Sequence, residues 1–306
     1  MRPADGAVTV PKLSVVVAAW SGKEELRRCL TAVLSQTRPP EDEIIVARNF
    51  ALDGGDSLRR EFPTVIDLPL ARATPVPQLR GAGLAVARGT VVAFLEDHCA
   101  CGPGWRDAIM RAYTQPFDAV GGPVDLAKGG RPLDWAVYFY DYARFTPPMM
   151  SGPVGSLSGA NASYKHSFLQ ALGSTALQEG VLEVTLEREI HRRGLAMYLS
   201  SEAIVVHGKH HSAGHAIGLT FSLARGYASA RVAGFGALKR GGLAAVMPLL
   251  PLLLLSRILS SAARTRRHLA RLAMALPWLL LLLGAWSIGE LTGYLAGAGA
   301  SKQRWR

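Results

Sequence analysis

The stretch LSVVVAAW (13–20) limits the possible folds more than any other, because a β-branched run with no polar face needs cover on both sides. Ser21-Gly22 reads as a turn. KEELRRCLTAVLSQT (23–37) then places Leu26, Cys29, Leu30, Val33 and Leu34 at helical spacing, and Pro39-Pro40 stops it. DEIIVAR (42–48) is a second apolar strand. Strand, helix and strand in this order predict the start of a parallel α/β sheet. Downstream, PQLRGAGLAVARG (77–89) predicts a helix leading into a strand at 90–95. GWRDAIMRAY (104–113) reads as a helix, DAVGGPVDL (118–126) as a strand and GANASYKHSFLQALG (159–173) as a turn and helix. LEVTLEREIHRRG (182–194) is a charged helix closed by Gly194, and MYLSSEAIVVH (197–207) holds a late strand ending in His207.

The last quarter has a different composition. From Leu238 onward ten Lys and Arg residues meet a single acid, Glu290, so +9 of the formal net charge of +11 lies there. An evenly basic coat would point to nucleic acid. An excess confined to the stretch that also holds the two most apolar runs points to a membrane surface and excludes a nucleic-acid partner. Residues 241–256 are 16 uncharged residues containing Pro248 and Pro251, and residues 272–289 are 18 uncharged residues, enough for one span. Hydrophobic segments are expected over about 241–259 and 272–296, in a membrane-associated part (237–306) following a first domain (1–236). The five arginines between the runs would lie outside in a simple hairpin, against the positive-inside tendency. Either the first run is re-entrant or interfacial, or the hairpin breaks the rule. A soluble helical hairpin is disfavoured, since nothing else in the tail offers enough apolar cover.

Three cysteines (Cys29, Cys99, Cys101) make no disulfide framework and read as free thiols. Beside His98 they could suggest zinc, but no second ligand pair follows at zinc-site spacing. MRPADGAVTVPKLSVVV has too short an apolar run for a signal peptide. The soluble part is expected in the cytoplasm, on the inner face of the inner membrane. In VVAFLEDHCACGPGW (91–105) a strand suited to a core ends in Glu96, Asp97 and His98. Acids there are either a solvated strand end or a metal or phosphate site at the carboxyl edge of a parallel sheet.

Four blocks in order, SVVVAAWSGKEELRRCLTAVLSQT, GLAVARGTVVAFLEDHCACGPGW, GANASYKHSFLQALG and LEVTLEREIHRRG with AIVVH, resemble the family 2 glycosyltransferases over roughly residues 13–210. The membrane-associated bacterial type is the nearest in character. The resemblance implies a GT-A fold, a doubly wound, mostly parallel, Rossmann-like sheet. It also implies sugar transfer from a nucleotide-diphosphate sugar to a membrane-bound or lipid-linked acceptor, in cell-envelope glycan or glycolipid synthesis. The leaving diphosphate gathers negative charge, which a divalent cation, Mn or Mg, would stabilise. The family's Asp-x-Asp stretch corresponds to Glu96, Asp97 and His98, with His207 as a late histidine near the metal. The acceptor hydroxyl needs a base. The resemblance assigns Glu183, with Glu179 as the fallback and Leu182 in place of a preceding acid. Alternatively, Glu183 is only a first-turn carboxylate on the helix dipole.

Further correspondences follow the same resemblance. Ala18, Ala19, Trp20 and Ser21 correspond to the donor-nucleotide wall, where Trp20 packs on a base or fills the core. Arg48 and Asn49 stand where an aspartate often receives the nucleobase. Arg80 falls near the diphosphate, or is an exposed helix arginine. Asn161 with Gly159 resembles the acceptor-side loop, or caps a helix. His210, His211 and His215 belong to a basic loop expected to close on the diphosphate, and Arg225 and Arg231 serve that role or face lipid headgroups. The terminal KQRWR lacks the spacing of the Gln-x-x-Arg-Trp signature of processive polymerases and is rejected. The departures at Arg48, Glu96, His98 and Leu182 leave a rival, a non-catalytic, membrane-tethered sugar-nucleotide binder. A Rossmann oxidoreductase is disfavoured, because no G-x-G-x-x-G follows the first strand.

Overall fold

The computed structural model describes residues 10–52, 57–173 and 180–301. Glu179 and the terminal KQRWR lie outside the described residues. Contacts divide the chain into two compact units: residues 1–124 with 149–206, and residues 125–148 with 207–306.

The first unit is built on β1 (Leu13–Ala19), α1 (Lys23–Leu34), β2 (Asp42–Arg48), α2 (Ser57–Glu61), β3 (Val65–Pro69), α3 (Val76–Val86) and β4 (Val91–Glu96). Every residue of β1 and β2 is buried, as their apolar runs demand. β5 (Cys99–Cys101), α4 (Trp105–Ala112) and β6 (Ala119–Gly121) follow. The stretch expected as one strand at 118–126 is two, because Pro123 after Gly122 has no N–H to continue a ladder; its second half is β7 (Val124–Leu126). After α5 (Pro132–Tyr142), which belongs to the second unit, come β8 (Gly152–Val154) and β9 (Asn161–Lys165).

β9 corrects the expectation of a turn and helix over 159–173; only the short α6 (His166–Gln170) is helical. Its strand alternates: Ala162 and Tyr164 enter a core with Phe94 and Val16, while Asn161 and Ser163 bury their polar groups on the other face. α7 (Glu183–Arg192), β10 (Met197–Leu199) and β11 (Val205–His207) complete this part of the chain. The main sheet has the order β3-β2-β1-β4-β9-β6-β10-β8. β1 pairs parallel with β2 and β4, β2 with β3, and β6 with β10; β9 runs antiparallel between β4 and β6. Ala18 of β1 lies opposite Glu96, so the acidic stretch opens at the carboxyl end of neighbouring parallel strands. The three cysteines are free and buried, and burial pushes each thiol well above its ordinary pKa, as befits packing residues.

The second unit gathers α5 with α8 (Ala213–Arg231), α9 (Ala237–Ala245), α10 (Leu250–Thr265) and α11 (Leu269–Ala296). This differs from a division at residue 236, because α5 and α8 pack on α11. Ala275, Leu279, Leu282 and Leu283 of α11 are fully buried in a core with Leu133, Trp135 and Tyr138 of α5. A Cβ on Gly289 or Gly293 would come within 2.5 Å of the Phe221 or Arg225 carbonyl, so these glycines permit the close crossing of α8 and α11. The apolar cover that the tail itself lacks therefore comes from upstream helices, on one face of α11. α9 and α10 remain largely bare: Leu238, Leu252, Leu253 and Leu259 are all exposed. Residues 237–265 and 269–296 are each long and apolar enough to cross a membrane.

Asp134 anchors the start of α5. It accepts from the Arg131 N–H and guanidinium, from the His211 N–H and from His210 Nδ1. Burial favours the neutral acid, but these donors outweigh it and hold the carboxyl well below the usual range. A depressed folded pKa stabilises the fold above the unfolded value, and this contribution is lost as pH falls through the folded one. Acidification below about pH 4 should therefore destabilise the wild type more steeply than Asp134→Asn, as read by denaturant unfolding across pH. Parallel pH profiles would remove Asp134 as an acid-sensitive anchor.

Candidate active site

β4 delivers Glu96, Asp97 and His98 in three consecutive positions, and their side chains do different things. Asp97, wholly buried, turns back toward the β1 end. Its Oδ2 accepts from the backbone N–H groups of Trp20 (2.8 Å) and Ser21 (2.6 Å), and its own N–H donates to the Ala18 carbonyl. It thus fastens the Trp20-Ser21 turn. His98 is buried between acids: Nδ1 lies 3.2 Å from Asp97 Oδ1 and 3.0 Å from Ser21 Oγ, and Nε2 lies 3.0 Å from Glu96 Oε2. Burial opposes the charged imidazole, but Asp97 and Glu96 outweigh it and raise its pKa above the ordinary value. The Trp20 ring meets the His98 ring edge-on at 5.7 Å.

Arg80 of α3 binds the site together. It is 5% exposed, so the exposed-arginine reading is excluded. Nη2 donates to Glu96 Oε1 (2.9 Å) and to the Gly159 carbonyl (3.1 Å), and Nη1 donates to Glu183 Oε2 (3.0 Å). Burial works against the guanidinium, yet Glu183 and Glu96 outweigh it and raise its pKa. Glu183 begins α7 and retains 32% side-chain exposure, so its carboxylate is reachable. Gly159 stands behind it, where a Cβ would come within 2.8 Å of the Glu183 carboxyl carbon. An unbroken polar chain therefore runs from Glu183 through Arg80, Glu96 and His98 to Asp97 and the Trp20-Ser21 turn.

The remaining residues occupy different surroundings. Ala19 closes β1, fully buried, and its carbonyl accepts from the Asn49 N–H. Arg48 forms a two-pronged ion pair with Asp67 of β3 (2.8 and 2.9 Å) and donates to the Phe50 carbonyl. Asp67 was missed in the sequence because nothing marks its register opposite Val46 of β2. Asn161 opens β9 rather than capping a helix, and its side chain meets two loop carbonyls. Its amide donates to the Pro123 and Ala203 carbonyls and accepts from Trp105 Nε1, so it holds strands and α4 together. In the second unit, His207 stacks on His211 and packs on Tyr142, while Asp134 holds His210 and the His211 backbone. Arg225 donates to the Gly297 carbonyl, and Arg231 pairs with Glu290 and Tyr294, so both tie α8 to α11.

Among the described residues no group of three His, Cys, Asp or Glu side chains is arranged to hold a metal ion. Within the expected Glu96, Asp97 and His98 stretch, Asp97 is wholly buried and its Oδ2 is taken up by the Trp20 and Ser21 N–H groups. Glu96 Oε2 and His98 Nε2, a carboxylate oxygen and an imidazole nitrogen at 3.0 Å, do offer two donors suited to a divalent cation once the imidazole loses its proton.

The family model for glycosyl transferase family 2 matches residues 14–173. The chain belongs to that family. This family 2 chain is 29% identical over 124 residues to glycosyltransferase AglE of Haloferax volcanii, covering 39% of this chain and 41% of that protein. It is 30% identical over 144 residues to polypeptide N-acetylgalactosaminyltransferase 12 of Mus musculus, covering 43% of this chain and 23% of the relative. The match thus spans less than half the length of either relative. Among solved structures, the mannosyltransferase PcManGT from Pyrobaculum calidifontis, in complex with GDP-Man and Mn2+, resembles 95% of this chain and 90% of its own (TM-score 0.54, 17% identity). GalNAc-T7 with UDP, GalNAc and Mn2+ matches 65% of this chain and 44% of its own (TM-score 0.51, 15% identity). These neighbours establish the GT-A fold expected from the sequence.

Asp97→Ala removes the one oxygen that accepts from both the Trp20 and the Ser21 N–H. It should cost about 1–3 kcal/mol of stability and weaken nucleotide-sugar binding through the loosened Trp20-Ser21 turn. Thermal unfolding and donor titration of the same preparation check both; an unchanged melting temperature would remove Asp97 as the turn's fastener.

Proposed function

We propose that the protein transfers a sugar from a nucleoside-diphosphate sugar to the hydroxyl of a membrane-bound or lipid-linked acceptor. The observation that carries this reading is the convergence of Glu96, His98, Arg80 and Glu183 at the carboxyl end of β4. Glu183, half-exposed and at the start of α7, takes the acceptor hydroxyl's proton as that oxygen attacks the anomeric carbon. Arg80 Nη1 donates to the Glu183 carboxylate and keeps it aimed. Glu96 and His98 would hold a divalent cation, which when bound neutralises charge on the departing diphosphate. Mn2+ suits the mixed oxygen and nitrogen donors, and the fold neighbours solved with nucleotide or nucleotide-sugar and Mn2+ support the same class of donor. The Trp20-Ser21 turn, fixed by Asp97, lines the nucleotide side, and Arg48, set by Asp67, borders it. The bare leucines of α10 support membrane association; the proposed place is the cytoplasmic face of the inner membrane, in envelope glycan or glycolipid synthesis.

Binding of a panel of nucleotide sugars to the full-length, detergent-solubilised protein, with manganese and with chelator, tests the reading. Saturable, manganese-dependent binding of one donor followed by acceptor transfer is expected. The rival, a non-catalytic binder, draws on the ion pair that already engages Glu183. Donor binding with neither transfer nor slow donor hydrolysis would favour it. No binding by any donor would overturn both. Truncation at residue 236 is no test of membrane attachment, because it would strip α11 from α5 and α8.

A further inference from the structure

The second unit contains a cavity of about 670 Å³ that takes no part in the proposed chemistry. Its floor is apolar, formed by Phe139 of α5, Ile258 of α10 and Leu283 of α11. Its rim is cationic. Arg144, Arg257 and Arg264 line it together with a single acid, Asp141, and Ser260 sits between the two α10 arginines. Arg257 and Arg264 are two helical turns apart on α10, so they project along one side of it. Neither has a hydrogen-bond or ion-pair partner among the described residues, although most other arginines of the chain are paired. The same helix exposes Leu252 (66%) and Leu259 (45%) to its surroundings. A small soluble anion would satisfy the arginines and leave the apolar floor empty, and an uncharged apolar molecule would do the reverse. An amphiphile with an anionic head satisfies both.

We propose that this cavity seats a phosphate-bearing membrane lipid, its headgroup between Arg257, Arg264 and Arg144 and its first acyl carbons over Ile258 and Leu283. The proposal rests on the membrane association proposed above and adds a defined site to it. Occupancy would fix α10 at the headgroup level and explain why positive charge is interleaved with an apolar helix.

Vesicle flotation of the full-length protein separates the possibilities. Wild type should float with phosphatidylcholine vesicles and more strongly when phosphatidylglycerol is included. Arg257→Gln with Arg264→Gln should retain the first affinity and lose the increment, about fivefold per arginine for a contribution of about 1 kcal/mol each. Ser260→Trp, which fills the cavity without changing charge, should lose it too. Arg266→Gln with Lys239→Gln, outside the cavity, should keep most of it. Equal loss in this control pair, or an increment that survives Ser260→Trp, would reduce the effect to surface charge and overturn the site. Competition by inorganic phosphate as effective as by a dispersed short-chain phosphatidylglycerol would make it a free-phosphate site and also overturn it. Wild type that floats with neither vesicle would refute the membrane reading itself; binding to neutral vesicles with no anionic increment would refute only this proposal.

Discussion

Glu183→Gln should lower turnover by on the order of 10²–10⁴-fold, the usual cost of losing general-base catalysis, with little change in donor affinity. The glutamine keeps the length of the side chain and can still accept from Arg80 Nη1, but it cannot take the acceptor's proton. Steady-state transfer assays and donor titration on the same protein check the two halves. Unchanged turnover would move the base elsewhere, and a parallel fall in donor affinity would make Glu183 a binding residue instead.

Arg80→Met should have the largest effect on stability. One buried guanidinium satisfies Glu96, Glu183 and the Gly159 carbonyl, and removing it leaves two carboxylates without their shared counter-charge. Breaking a buried ion pair from one side costs about 3–5 kcal/mol. Denaturant unfolding should show that loss, and adding Glu96→Gln should restore part of it by removing one of the stranded charges. A second mutation that brings further loss, or a first that brings none, would mean that Arg80 does not carry the ion-pair energy assigned to it.

The sequence made the strand–helix–strand opening legible because β1 and β2 are buried on both faces and tolerate no alternation. Glu96 stood out at a strand end, whereas Glu183 was named only by the family resemblance. Arg80 was not legible in the same way. An arginine on an amphipathic helix looks solvent-exposed, and its partner Glu183 lies 103 residues away. β9 was misread because GANASYKHSF carries turn and capping residues, and cross-strand burial of Ala162 and Tyr164 overrides that local preference. The inward turn of Asp97 was hidden for a related reason: spacing places the three side chains of the Glu-Asp-His stretch at one edge but says nothing about which of them faces inward. The grouping of α5 with α11 could not be read either, since helical periodicity shows that a face is apolar and not what will cover it.

The interleaving of the two units bears on biosynthesis. The chain leaves the first unit after residue 124, returns at 149 and leaves again after 206. Ser261 on α10 donates to the Ala143 carbonyl across 118 residues of sequence, and α5 shares its core with α11, the last described helix of the chain. On the ribosome, α5 emerges long before the helix that buries Trp135 and Tyr138. Until residues 269–296 are translated, this aromatic helix has to wait uncovered, exposed to chaperones or to lipid. A ribosome stalled near residue 250 would therefore display an aggregation-prone α5, and release of the last helix would be the step that hides it.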